Sequence, residues 1–365
     1  VKIVLLPGDG IGPEVTHQAR LCLELLSDRC ALDFEFEERS IGGIAIDRHG
    51  KPLPQATIGA CVEADAILLG AVGGPAWDDA KQRPEAGLLE LRAVLGLYAN
   101  LRPASVIKGL EHLSPLRPEI ARDADVLVVR ELTGGSYFGE KKLSDTAASD
   151  LCTYTRAEIE RVAHVAFRAA RARGKRVTSV DKANVLATSR LWRRTVDDVA
   201  RGYPDITLDH MLVDSTAMAL VMNPRRFDVI LTENMFGDIL SDEMSVIAGS
   251  IGLLASASIG DGGPGLFEPI HGSAPDIAGL DRANPCGAIA SAVMLLADGL
   301  GLHGEAALLR ASLDEALRGE VLTADMGGSA SCSAMGAEVR RLLEAKLGAR
   351  DAHVALMASN RGCVG

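Results

Sequence analysis

The sequence predicts an α/β protein. Three observations carry that expectation: short apolar runs alternate with amphipathic stretches along the chain, 38 glycines punctuate the changes of pattern, and the composition is that of a folded protein, 47% hydrophobic and 24% charged. At 365 residues the chain is long enough for two lobes, each with a sizeable core.

The elements follow in order. "KIVLLP" reads as a strand, and "PEVTHQARLCLELL" as a helix with Pro13 near its first position. "DAILLGAV" and "ADVLVVREL" read as buried strands, "EIERVAHVAFRAARAR" as an amphipathic helix, "RVTSVDK" and "FDVILTENM" as strands, and "PCGAIASAVMLLADGL" as a buried helix. Residues 134–155, "GGSYFGEKKLSDTAASDLCTYT", lose both periods yet keep the β-prone Tyr137, Phe138, Tyr154 and Thr155, which predicts a protruding arm or hairpin. No repeat or linker marks a clean boundary, so the chain is expected to cross between its lobes more than once. A last amphipathic helix is expected to end near Leu347, with 349–365 as a tail.

Several function classes are disfavoured at once. A net charge of -11 argues against a nucleic-acid or anionic-membrane surface. No apolar run reaches the roughly 18 residues of a membrane span, and the opening "VKIVLLPGDG" reads as strand and turn instead of a signal peptide, so a cytoplasmic location is expected. The seven cysteines are odd in number, scattered and without a C-x-x-C pair, which predicts reduced thiols. In "PGDGIGPE" the glycines at 8, 10 and 12 give G-x-G-x-G, not the G-x-G-x-x-G of a dinucleotide-binding Rossmann turn. Walker, H-E-x-x-H and G-x-S-x-G motifs do not occur.

Chemistry is suggested by a few charged residues in apolar settings. "ENMFGDILSDE" places Asp238 and Asp242 one helical turn apart, where like charges cost a few tenths of a kcal/mol. Either a solvated helix start or a divalent cation held by hard oxygens accounts for them. Arg92, Arg102 and Arg130 sit beside apolar residues, and guanidinium forks suit carboxylates. Each alone also reads as an ion pair; three in an acidic protein favour a small di- or trianionic ligand. Lys182 in "SVDKANVL" and Asp214 in "LVDSTAM" stand at the ends of short strands, where α/β proteins bind ligands. Lys182 is a candidate general base and Asp214 a third metal carboxylate, with a surface lysine and a helix cap as the plain alternatives. "EPIHGSAPDIAG" (268–279) and "ANP" (283–285) form a polar loop that either binds ligand or simply turns. The residues alone stop at a metal-assisted enzyme acting on a small polycarboxylate.

"KIVLLPGDGIGPEV", "YANLRP", "VVRELTGG", "DKANVL", "ENMFGDILSDE" and "HGSAPDIAG", in this order, resemble the β-decarboxylating 2-hydroxyacid dehydrogenases of the isocitrate/isopropylmalate dehydrogenase family. The resemblance runs from Lys2 to about Leu347. It implies a two-lobed α/β fold that is not a Rossmann fold, with 1–98 and 250–348 as a first, mainly NAD-binding lobe and 99–249 as a second lobe bearing the dimer interface and the arm. It also implies a homodimer with shared active sites, in which Lys182 and Asp214 reach into the neighbour's site.

By the same resemblance, Asp214, Asp238 and Asp242 hold Mg2+ or Mn2+, Arg92, Arg102 and Arg130 clamp the malate carboxylates, Asp214 also borders the substrate, Lys182 takes the hydroxyl proton and Tyr137 protonates the enolate. His271, Gly272, Ser273, Ala274, Pro275, Ile277, Asn284 and Asn184 match cofactor-binding positions. Asp276 matches the position at the adenosine ribose, where a carboxylate favours NAD over NADP. Glu85, Leu88 and Leu89 match the substrate side-chain region, and the leucine pair suits the isopropyl group of 3-isopropylmalate, whose product is 4-methyl-2-oxopentanoate, a precursor of leucine. D-malate, tartrate and homoisocitrate dehydrogenases, and a non-catalytic subunit on the same fold, remain alternatives. Ser136, Met244, Ala255 and a short arm depart from the usual family pattern.

Overall fold

The structure is a computed structural model that describes residues 1–78 and 82–361, with side chains as far as Asp351. Cys363 and the last four residues of the expected tail lie outside the described residues. In chain order the strands are β1 (Lys2–Gly8), β2 (Glu35–Glu38), β3 (Ala66–Ala71), β4 (Ala99–Ser105), β5 (Asp125–Glu131), β6 (Lys141–Leu143), β7 (Ala148–Asp150), β8 (Arg176–Asp181), β9 (Thr207–Leu212), β10 (Val229–Thr232), β11 (Ala255–Ile259) and β12 (Gly265–Pro269). The chain divides into two compact units, Val1–Leu91 with Pro264–Gly365, and Arg92–Gly263.

In the first unit the strand order is β2-β1-β3-β12, and every pair is parallel. Parallel strands are covered on both faces, which is why β3 reads as the unbroken run "AILLGA" and is buried at every position. Helices Gly12–Arg29, Cys286–Met294 and His303–Leu317 turn Leu23, Leu26, Ile289 and Leu309 into this core.

At the end of β1 the turn "GDG" needs glycine: Gly10 has φ +57°, and a Cβ there would lie 1.9 Å from the Ser273 carbonyl oxygen. Asp9 between the glycines is only 3% exposed. Its Oδ2 accepts from the backbone N–H groups of Gly43 and Gly73 and its Oδ1 from that of Ile44, each at 2.8 Å. The turn is therefore tied to two other segments of the unit by one carboxylate.

The last helix corrects the sequence reading. It runs Cys332–Arg361 and does not stop near Leu347. No proline interrupts 348–361, a lone Gly348 costs a helix only about 1 kcal/mol, and the extension is docked. Arg29 donates to Asp351 at 3.1 Å, and Arg350 to the Cys30 sulfur at 3.3 Å.

In the second unit the order is β11-β4-β5-β10-β8-β9. The β11–β4 and β4–β5 pairs are antiparallel, the other three parallel. Helix Arg156–Arg171 begins with a capping box between Thr155 and Glu158, and its apolar face buries Ile159, Val162 and Phe167 against Val129, Trp192 and Leu231. Within 134–155, β6 and β7 form an antiparallel hairpin whose residues are all exposed.

Among the described residues no helix is long and apolar enough to cross a membrane. Six cysteines are described and all are free thiols: Cys22, Cys61, Cys286 and Cys332 are buried, Cys30 and Cys152 half-buried. Burial pushes the Cys22, Cys61 and Cys332 thiols up to about 12.

Candidate active site

Strands β5, β10, β8 and β9 run parallel, so their C-terminal ends emerge on one side of the sheet, the usual place for a ligand in such a fold. Arg130 leaves the end of β5, the helix Asn234–Ile247 leaves β10, Lys182 follows β8, and Asp214 follows β9. The antiparallel β4 brings Asn100 level with Arg130, with Arg102 two residues on. Residues far apart in sequence thus converge because of strand order.

Their geometry resolves the two like charges of the helix. Arg102 Nη1 lies 3.2 Å from Asp242 Oδ1, and Arg102 Nη2 lies 3.8 Å from Asp238 Oδ1. Arg130 Nη1 also donates to Asp238 Oδ1, and the Tyr137 hydroxyl donates to Asp238 Oδ2 at 3.0 Å. A cation already stands between the two carboxylates. Arg102 is itself aimed, through Nε to Asn100 Oδ1 (2.7 Å) and Nη1 to Ser241 Oγ (2.8 Å).

The local field is uneven. Burial and the neighbouring Asp238 push the Asp242 carboxyl up, against the pull of Arg102. Burial, then Arg102, holds Arg130 down to about 10. Burial and Asp238 raise the Tyr137 phenol, so it stays protonated at neutral pH and able to donate. Arg92, half-buried at the end of the helix Pro84–Val94, adds to the positive field at Arg130.

Lys182 and Asp214 form their own pair, with Nζ 2.5 Å from Oδ1, and the hydrogen bond from Lys182 holds the Asp214 carboxyl below the usual range. The turn carrying Lys182 is anchored below it: Asp181 is buried, accepts from Ala183 N–H, and is gripped by Nε and Nη2 of Arg193. Asp214 is not brought to Asp238 and Asp242 within the chain. Among the described residues the grouping of three His, Cys, Asp or Glu ligand atoms within 4.8 Å of one another is Glu14, Asp281 and Cys332, in the first unit. Asp238 and Asp242 nevertheless offer hard carboxylate oxygens, the donors that Mg2+ and Mn2+ take.

The loop expected to bind the cofactor lies in the first unit. His271 has Nδ1 2.9 Å from the Gly272 carbonyl oxygen, while its Nε2 is buried with no hydrogen-bond partner, and burial lowers its pKa. An orphaned ring nitrogen of this kind fits a polar ligand edge. Ala274 has φ 38°, Ser273 is buried beneath the Gly10 turn, and Gly272, Pro275 and Asp276 are exposed, with Ile277 half-buried. Asn284 is otherwise engaged: its Nδ2 donates to Asp325 (2.9 Å) and its Oδ1 accepts from Cys286 N–H (2.9 Å), at the start of the helix Cys286–Met294. Asn184 is exposed in the turn after Lys182. Leu89 is 40% exposed and Leu88 half-buried, whereas Leu91 supplies the core of that helix. Glu85 is exposed, with Oε1 2.4 Å from where a Cβ on Gly73 would stand.

Sequence reasoning passed over Asn100, Ser241, Glu233 and Asn234, all of which touch or support the arginine cluster. Glu233 was accessible to it, because its side chain caps the helix by accepting from Phe236 N–H at 2.7 Å. The others are visible only once the strands are ordered.

Known proteins resemble the chain over most of its length. Residues 2–339 match the isocitrate/isopropylmalate dehydrogenase family. The chain is 54% identical over 349 residues to the 3-isopropylmalate dehydrogenase of Anaeromyxobacter dehalogenans, covering 94% of this chain and 99% of that one. It is 53% identical over 344 residues to the same-named protein of Listeria monocytogenes, covering 94% and 98%. Among solved structures, isocitrate dehydrogenase from Methylococcus capsulatus superposes with a TM-score of 0.84 at 34% identity, covering 94% of this chain and 99% of that one. A β-decarboxylating dehydrogenase from Thermococcus kodakarensis gives 0.79 at 39% identity, covering 95% and 97%. The expected α/β fold of this type, as opposed to a Rossmann fold, is the fold found. From residue 2 to residue 339 the chain belongs to the isocitrate/isopropylmalate dehydrogenase family.

Proposed function

We propose that the protein catalyses the NAD- and divalent-metal-dependent oxidative decarboxylation of (2R,3S)-3-isopropylmalate to 4-methyl-2-oxopentanoate and CO2, a step of leucine biosynthesis. The observation that carries the reading is the convergence of Arg102, Arg130 and Tyr137 on the Asp238/Asp242 pair. The names of the relatives at 54% and 53% identity point to this substrate among the malates. Exposed Leu89 offers an apolar surface to an isopropyl group, where a third carboxylate would be left without a partner.

In this reading Arg92, Arg102 and Arg130 orient the two carboxylates of the substrate. Lys182 takes the proton of the C2 hydroxyl as the hydride leaves C2. After the β-carboxylate departs as CO2, the protonated Tyr137 returns a proton to the carbon that lost it. Bound NAD+ supplies the hydride acceptor, and a bound Mg2+ or Mn2+ at Asp238 and Asp242 supplies Lewis acidity. In this reading the exposed Asp276 accepts from a ribose hydroxyl and would repel a phosphate there, which favours NAD over NADP.

The working unit in this reading is a homodimer in which Lys182 and Asp214 complete the site of a second copy. Two observations support it. Asp214 pairs with Lys182 and does not join Asp238 and Asp242 within one chain. Helix Val213–Met222 leaves Met218, Val221 and Met222 exposed, and helix Asn234–Ile247 leaves Ile239 and Val246 exposed, an apolar surface of the kind that subunits cover.

NADH absorbance with Mn2+ tests the whole reading. Turnover is expected to be highest with 3-isopropylmalate among D-malate, tartrate, isocitrate and homoisocitrate, and to be lost in EDTA and restored by excess Mn2+. Preference for a smaller or more acidic substrate overturns the assignment of the Leu88/Leu89 wall; EDTA-resistant turnover overturns the metal.

A further inference from the structure

Asn234, the first residue of the helix that carries Asp238 and Asp242, is 2% exposed and has its backbone N–H and both side-chain polar atoms engaged. Its backbone N–H donates to the Tyr154 hydroxyl at 3.0 Å, and that hydroxyl donates on to Glu233 Oε2 at 3.4 Å. Its Nδ2 donates to the Gly134 carbonyl at 3.3 Å. Its Oδ1 accepts twice from Arg130, from Nε at 3.1 Å and from Nη2 at 2.8 Å. The carboxamide is thus locked by groups on both sides and cannot turn without breaking several buried hydrogen bonds.

A guanidinium presents two forks, one along its Nε/Nη2 side and one at its Nη1/Nη2 end, with five donor hydrogens in all. Asn234 Oδ1 fills the side fork. Asp238 meets Nη1. One hydrogen on each Nη is left, and the one on Nη2 points to the end fork. The side-fork acceptor is neutral, so Asp238 is the carboxylate in contact with Arg130, and a second one at position 234 would have cancelled more of its charge. The stem is fixed as well: a Cβ on Gly237 would lie 2.7 Å from Arg130 Cγ, so the helix packs directly against the arginine.

We propose that Asn234 is a positioning residue that acts through Arg130: by occupying the side fork with a neutral oxygen, it leaves the Nη1/Nη2 end, with no second carboxylate beside Asp238 drawing on its charge, as the face that receives a substrate carboxylate. The inference rests on the reading of Arg130 as a substrate clamp. It makes the recognition of a dianionic malate depend on a residue that does not touch it.

Asn234→Asp keeps shape and acceptor but adds charge at the side fork; Asn234→Ser removes the bidentate acceptor without adding charge and carries the test if the aspartate prevents folding. Both are to be compared with Arg130→Lys, which has no fork, and with the double variants. The readouts are KM for 3-isopropylmalate, KM for NAD+, malate binding by calorimetry in the presence of Mn2+ without NAD+, and circular dichroism. The expected result is a rise of about tenfold or more in malate KM and dissociation constant, equivalent to at least ~1.4 kcal/mol. The NAD+ KM and the spectrum should be unchanged, and most of the effect should disappear in the Arg130→Lys background. A malate affinity within about twofold of wild type, or an effect that persists in full beside Arg130→Lys, overturns the inference. If Arg130→Lys itself leaves malate binding unaltered, the clamp reading fails first and the two failures are told apart.

Discussion

Asp238→Asn is expected to abolish NADH formation while leaving the fold intact. Asparagine has the same shape and keeps one acceptor oxygen, so Tyr137 or Arg130 retains a partner where Asp238 Oδ2 and Oδ1 now accept. What disappears is the charge. Two guanidiniums, Arg130 in contact and Arg102 with Nη2 at 3.8 Å, would then face a neutral group, and a divalent cation brought among them would meet repulsion with one fewer anionic ligand. Losing a Lewis acid that stabilises the transition state by several kcal/mol lowers kcat by at least about 10^3-fold. Turnover measured against Mn2+ concentration, with circular dichroism and size-exclusion chromatography alongside, decides it. A kcat within about tenfold of wild type at saturating Mn2+ would remove Asp238 from the metal site.

The largest loss of stability from a single side chain outside the apolar core is expected at Asp9. Its two oxygens take the N–H groups of Gly43, Ile44 and Gly73, and Gly42 approaches so closely that a Cβ there would lie 2.4 Å from Oδ2. Burial raises the Asp9 carboxyl while these backbone donors lower it, so the ion is retained at a cost that the three hydrogen bonds offset. Asp9→Ala strands three buried donors, and at about 1–3 kcal/mol for each the first unit should lose ~3 kcal/mol or more. Asp9→Asn separates the contributions, because its single oxygen can serve the two donors on one side while its amide faces Ile44 N–H as a second donor. A loss of about half the alanine value is expected from it. Urea unfolding of both variants measures the difference; equal midpoints for wild type and Asp9→Ala would mean that the carboxylate ties nothing together.

Much of this was legible in the sequence, for physical reasons that differ by element. Strands such as "AILLGA" announce themselves because a parallel strand buried on both faces has no polar alternation to blur. The hairpin in 134–155 showed as a loss of helical period with β-prone residues retained. Asp238 and Asp242 stood out because like charges one turn apart in an apolar helix need something to offset them, and Arg102 is one such group.

What stayed hidden depends on strand order. Asn100 orients Arg102 because β4 runs antiparallel beside β5 and β11, and Lys182 finds Asp214 because β8 and β9 are neighbours. None of these adjacencies is written in local periodicity. Asn284 shows a structural role that its motif did not announce: the side chain caps a helix and pairs with Asp325. The end of the last helix was misjudged because docking against Arg29 and Cys30 is a tertiary effect that Gly348 does not outweigh.

The placement of the thiols gives the molecule a built-in clock. Among the described residues, all four fully buried cysteines, Cys22, Cys61, Cys286 and Cys332, belong to the unit made from the two ends of the chain. With their protons held by burial, an alkylating reagent finds almost no thiolate there until that unit opens. The half-buried Cys152 of the other unit reports nothing about that event. The rate at which those four sulfurs become labelled therefore times the breathing of one half of the enzyme, without any probe having to be introduced.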